Sequence, residues 1–246
     1  VTAPQEKAAG EAIRQRCKAC GVKLHEMNQN RYPRFKIKLL GEHQQINANV
    51  AVEVIKALRF YRIKINRETI RKGLYNTLWP GRGEVISRNP LVVLDGAQNV
   101  ASAKALKETI KENFSAKGGS ARGGKYKRLI LVLGISSDKD IPGICNQLYD
   151  LADAVILTKA NNPRATKPEV LAGYFNGKDT HITTNVNEAK ALASRIAQKE
   201  DLILITGSLF VVGEFRHLAG PVLGIFSPHH AARKHPSHPQ KRIKQG

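Results

Sequence analysis

From residue 90 onward the chain alternates between short, unbroken apolar runs and longer stretches with helical spacing. The apolar runs are 91–95 (LVVLD), 128–134 (RLILVLG), 153–159 (DAVILTK), 180–184 (THITT) and 201–207 (DLILITG). Runs of this kind predict strands covered on both faces. The stretches between them predict helices over 101–114, 141–151, 167–175, 187–198 and 209–218. Two helices carry start signals: Pro168 suits a first-turn position, and Asn185 with Glu188 three residues later resembles a capping box. Strand and helix in regular alternation predict an α/β fold, a mostly parallel sheet flanked by helices.

Before residue 90 the pattern is less regular. VTAPQ reads as a strand end entering a helix over 6–20, and residues 35–40 alternate in a strand-like way. A helix is expected over 45–61, with Ile46, Val50, Val54, Ala57 and Leu58 on one face. A second spans 67–77 and ends before WPGR (79–82), where Pro80-Gly81 makes a turn. The expected division is therefore 1–78, a linker at 79–90, a sheet domain at 91–220 and a tail at 221–246.

Composition bounds the class. At 246 residues and 41% apolar content the chain supports one sizeable core, or one domain plus part of another, and wholesale disorder is excluded. No apolar stretch has the length to cross a bilayer and no signal-peptide pattern opens the chain, so no membrane partner is expected. Three cysteines, Cys17, Cys20 and Cys145, do not make a disulfide scaffold and suit a reducing, cytoplasmic location. The net charge of +20 alters the picture only once located. Part of it lies in a glycine-rich loop at 117–128 (Arg122, Lys125, Lys127) and part in the tail (Arg233, Lys234, Lys241, Arg242, Lys244). Clustered cations suit nucleic acid, but no aromatic platform or nucleic-acid motif accompanies them, so solvated basic loops are favoured. Cys17-x-x-Cys20 invites zinc, with His229, His230, His235 and His238 as partners. Without a second closely spaced cysteine pair, no metal site is expected within the chain.

Candidate chemistry gathers where the runs end. Asp95-Gly96-Ala97-Gln98-Asn99, Ser136-Ser137-Asp138-Lys139-Asp140, Asn161-Asn162-Pro163-Arg164 and Ser208 each follow an apolar run. Any one alone can be a helix cap. Four at the carboxyl edge of one parallel sheet point to a ligand site. Neither GxGxxG after a strand nor GxxxxGK[ST] occurs, which excludes a dinucleotide fingerprint and a Walker-type phosphate loop within these residues.

The motifs LLGEHQxxNA (39–48), WPGR (79–82), LDGAQN (94–99), GISSDKD (134–140) and TGSLFxVGE (206–214) occur in an order that resembles the folylpolyglutamate synthase and dihydrofolate synthase group of the Mur ligase superfamily. The resemblance covers about residues 1–218. It implies an ATP-dependent ligase that joins L-glutamate to a folate, dihydropteroate or tetrahydrofolate, through an acyl phosphate, with ATP and Mg²⁺ as cofactors. It implies a cytoplasmic monomer. It also implies that 1–78 is the end of a central ATP-binding domain and 91–220 the Mur ligase C-terminal, glutamate ligase domain. The phosphate loop is then expected before Val1, supplied in cis or in trans, and this chain alone is expected to be inactive.

By motif, the resemblance places His43, Gln44 and Asn47 beside the adenine. It makes Arg82 the arginine that reaches the phosphates, its rigid fork suited to charge building on the γ-phosphate. Asp95 is implied to hydrogen-bond the ribose or align the nucleotide, with Gln98 also at the nucleotide. Ser136, Lys139 and Ser208 fall near the incoming glutamate, whose carboxylates need a cation and hydroxyl or backbone donors. Arg82 and Lys139 are the implied catalytic residues. The family reads DGAHN where this chain has Gln98, which hydrogen-bonds but cannot carry positive charge. Two alternatives stay open: a non-catalytic remnant or module binding nucleotide or glutamate, and a fragment of a Mur-type peptidoglycan amino-acid ligase.

Overall fold

The computed structural model describes residues 1–28, 33–114 and 126–218. The glycine-rich part of the basic loop, the tail with its histidines and the end of the expected sheet domain lie outside them. Six strands form one sheet: β1 (Glu84–Arg88), β2 (Leu91–Leu94), β3 (Leu129–Leu133), β4 (Ala154–Leu157), β5 (Asp179–Ile182) and β6 (Leu202–Thr206), in the order β1-β2-β6-β3-β4-β5. All neighbours pair in parallel except β1 with β2.

The helices are α1 (Lys7–Ala19), α2 (Glu42–Ala57), α3 (Arg67–Asn76), α4 (Val100–Phe114), α5 (Ile141–Tyr149), α6 (Pro168–Ala172), α7 (Val186–Ile196) and α8 (Leu209–Leu218). Every residue of β2, β3, β4 and β6 is buried, and successive side chains serve two cores. Leu129, Leu131, Leu133, Val155, Leu157 and Leu204 face α4, α5 and α6. Ile130, Val132, Ile156, Ile203 and Ile205 face α7 and α8. That double cover is why these strands read as continuous apolar runs. The caps fall where expected. Pro168 opens α6, and the Asn185 side chain accepts Glu188 N–H while Glu188 reaches back to the N–H of Thr184.

Three local expectations differ. The stretch 79–90 is more than a linker: it holds β1, an antiparallel edge strand whose register is irregular at Val85/Ser87, with Val85 packed on one core and Ile86 on the other, as neighbours on a strand do. Residues 35–40 form no strand. The Gln45 side-chain amide stands in for a strand partner, donating to Phe35 O and accepting from Phe35 N–H. In α2 the buried face is Gln44, Ala48, Asn49 and Val52, while Val54 is 42% exposed, so the expected apolar stripe lies toward the rim of the packed face.

The topology creates the crevice that matters. β6 inserts between β2 and β3, and the helix after β3 leaves on one face while the helix after β6 leaves on the other. Loops that diverge at neighbouring carboxyl ends leave room for a ligand.

Candidate functional site

Arg82 stands on a turn between Gly81 (φ 70°) and Gly83 (φ 57°), left-handed positions that glycine adopts without strain. Gly83 N–H donates to Asp95 Oδ2 (2.8 Å), Ala97 N–H donates to Asp95 Oδ1 (2.9 Å), and Gly96 N–H donates to Gly81 O (2.8 Å). Asp95 thus ties the arginine turn to the loop after β2. Burial raises its carboxyl pKa, while the Gly83 and Ala97 N–H groups and nearby Arg82 act the other way. Each carboxylate oxygen accepts one backbone N–H and keeps acceptor capacity, so both roles implied for Asp95, ribose partner and aligner, stay open. The exposed guanidinium of Arg82 makes no hydrogen bond or ion pair among the described residues.

His43, Gln44 and Asn47 form one chain on the first turns of α2. Asn47 Nδ2 donates to Gln44 Oε1 (3.1 Å), which turns Gln44 Nε2 toward His43 Nε2 (2.8 Å). With the amides oriented this way, Nε2 of His43 is the acceptor and its ring proton belongs on Nδ1. Burial first, and the charge of Arg82 second, lower its pKa. His43, Arg82 and Asp95 therefore share one electrostatic neighbourhood. Gln44 is buried and spent on its neighbours, which leaves exposed Asn47 as the most available amide.

Beyond β3, β4 and β6 lies a small, shallow depression bordered by Gly134, Ser136, Lys159, Asn162 and Ser208 and by the apolar Ile135, Ala160, Ala165, Phe210 and Val211. Ser136 and Ser208 are buried in its wall, and Ser208 Oγ accepts Phe210 N–H (3.2 Å) at the start of α8. At the ends of β4 and β6, the buried hydroxyls of Thr158 and Thr206 have no hydrogen-bond partner among the described residues. Lys139 is held aside: its ammonium pairs with Asp138 (2.9 Å), the pair that lowers the Asp138 pKa, and Arg164 approaches the same carboxylate at 3.8 Å. Lys139 does not line the depression. Gln98 is half-buried beside Asp95, its backbone N–H donating to Ser102 Oγ (3.1 Å). Cys17 lies within α1 and Cys20 just past its end. Among the described residues, no group of three His, Cys, Asp or Glu side chains is placed to hold a metal ion.

The two clusters adjoin, because Gly207 N–H donates to Ala97 O (3.1 Å) and so joins the loops after β2 and β6. Across that seam the family pattern for the Mur ligase, glutamate ligase domain matches residues 81–209. The chain belongs to that family. As a Mur ligase domain it is 36% identical over 184 residues to a probable bifunctional folylpolyglutamate synthase/dihydropteroate synthase of Haloferax volcanii, covering 74% of this chain and 20% of the relative. Its fold is similar to a folylpolyglutamate synthase of Mycobacterium tuberculosis complexed with ADP (TM-score 0.76, 23% identity, 88% of this chain and 54% of that one). It is also similar to a bifunctional folylpolyglutamate synthase/dihydrofolate synthase of Yersinia pestis with Mn, AMPPNP and L-glutamate bound (TM-score 0.67, 23% identity, 85% and 50%). The Mur ligase chain thus spans a fifth of the Haloferax relative and about half of each solved structure.

Two site-shaping residues carried no motif signal. Glu84 accepts the Gly81 N–H (2.7 Å), and Arg216 of α8 pairs with Glu84 (3.1 Å). An acidic residue just after a Pro-Gly turn was the one sign available, and only the packing of α8 gives it meaning.

Proposed function

We propose that the chain supplies the glutamate-ligase part of an ATP-dependent ligase that adds L-glutamate to a folate, dihydropteroate or tetrahydrofolate, through an acyl phosphate. The observation that carries this reading is the adjacency of an exposed Arg82, without a hydrogen bond or ion pair among the described residues, to a shallow depression bordered by Ser136 and Ser208 one loop away. An unpaired guanidinium fits a phosphate, so Arg82 would face the transferring phosphoryl group, with Asp95 aligning its turn. Asn47 would meet the base edge, with His43 and Gln44 behind it, and Gln98 would lie at the nucleotide. Ser136 and Ser208 would border the glutamate, and Lys139 would exchange its pairing with Asp138 for a substrate carboxylate. The ATP triphosphate and Mg²⁺ would be gripped by a nucleotide-binding portion to which residues 1–78 belong. No described residue is assigned to Mg²⁺. The reading includes a cytoplasmic, monomeric enzyme.

The test joins the chain to a folate-ligase nucleotide-binding portion, in cis or in trans, and follows labelled glutamate into folate. Incorporation that requires ATP, folate and this chain supports the reading. Nucleotide or glutamate binding without incorporation would leave a non-catalytic binding module instead. Incorporation only into a peptidoglycan precursor would move the chain to the other Mur branch.

A further inference from the structure

Glu84 opens β1 two residues after Arg82, and its carboxylate has two tasks. Oε2 accepts the Gly81 N–H at 2.7 Å, and both oxygens lie 3.1 Å from Nε of Arg216. Arg216 is in the last turn of α8, the helix that begins beside Ser208 at the depression. The middle of the same helix supports the turn directly. A Cβ on Gly81 would come within 2.8 Å of Val212 Cγ1. One rigid helix therefore borders the depression at its start, backs the turn at its centre and grips Glu84 near its end.

We propose that Glu84 and Arg216 are positioning residues for Arg82, and that through them α8 couples the depression to the arginine turn. The inference rests on the ligase reading above. Two left-handed glycines make the turn pliable, and its side chain has no partner of its own among the described residues, so its aim depends on what holds the backbone. Asp95 fixes the Gly83 side of the turn and Glu84 the Gly81 side. The Glu84 and Arg216 side chains are 21% and 45% exposed, and an ion pair that open to solvent contributes little to stability. Its effect belongs in geometry. A reacting group displaced by about 1 Å loses large factors in rate.

The test is a kinetic double-mutant cycle in the completed ligase, with amide exchange on the 246-residue chain as a readout independent of ligation. Glu84→Ala should lower kcat ~10-fold, leave KM for glutamate and the thermal midpoint unchanged, and add nothing once Arg82 is already alanine. Glu84→Gln, which retains an acceptor for Gly81 N–H, should recover part of the loss. In the isolated chain, Glu84→Ala should speed exchange of the Gly81 amide ~10-fold while the β3 amides stay protected. Equal losses with and without Arg82 would overturn the positioning role. Unchanged Gly81 exchange would overturn the clamp itself, whatever the ligation assay shows. A wild-type chain that ligates nothing would remove the ligase reading and the catalytic role of the clamp together.

Discussion

Residues 84–218 and residues 1–79 bury their apolar side chains to different extents. In the first region four strands are buried throughout, and helices on both faces close two cores around them. In the second, Phe60 is 86% exposed, Tyr61 70% and Trp79 61%, and neither α3 nor the 3₁₀ turn at 58–61 contains a buried residue. Arg82 lies on the seam. The comparison teaches that the sheet provides the rigidity, while Arg82 and Asn47 stand on a surface the described elements leave exposed.

The two regions separate most clearly when a large apolar side chain is removed from each. Leu131→Ala at the sheet centre, where the side chain is fully buried, should destabilise by ~2–5 kcal/mol in denaturant unfolding. Phe60→Ser should stay within about 0.5 kcal/mol. Equal losses would mean that 1–79 has a core of its own. A smaller effect tests the seam. Gly41, at φ 97°, has its Cβ position against Thr109 Oγ1 of α4, so Gly41→Ala strains the backbone and pushes α2 off the sheet domain. The expected loss is ~1–3 kcal/mol. No loss would show that the two regions are not seated on each other there.

The smallest effect is in pH. His43 has a folded pKa below the ordinary 6.5, so the unfolded chain binds the proton more readily. The contribution of neutral His43 is then present above the ordinary value and lost as pH falls through the folded one. Wild type should lose stability between pH 7.5 and 5.5 by slightly more than His43→Gln does. Identical pH slopes would mean that the Gln44–His43 bond does not hold His43 neutral.

What the sequence displayed follows the same division. Central strands were legible because two-sided burial leaves no polar position in them, and the starts of α6 and α7 because Pro168, Asn185 and Glu188 act locally. β1 was not, because an edge strand reading EVISR mixes polar with apolar and takes its pairing from Leu91–Leu94. Residues 35–40 alternated like a strand, yet their partner is the Gln45 side chain, a tertiary choice with no periodic trace. Three separate motifs named His43, Arg82 and Asp95, and the structure places both His43 and Asp95 within the field of the Arg82 charge. Their tasks were less legible. Nothing in DGAQN reveals that each Asp95 oxygen accepts a backbone N–H, or in DKD that Lys139 pairs with Asp138.

On the proposed function, Arg82 faces the transferring phosphoryl group. The most direct measurement is turnover of the completed ligase with Arg82→Ala. A fall in kcat of ~10²–10³ is expected, with glutamate KM and thermal midpoint unchanged. Unchanged kinetics would remove Arg82 from the site and, with it, the reason for reading the turn, Asp95 and Glu84 as one device.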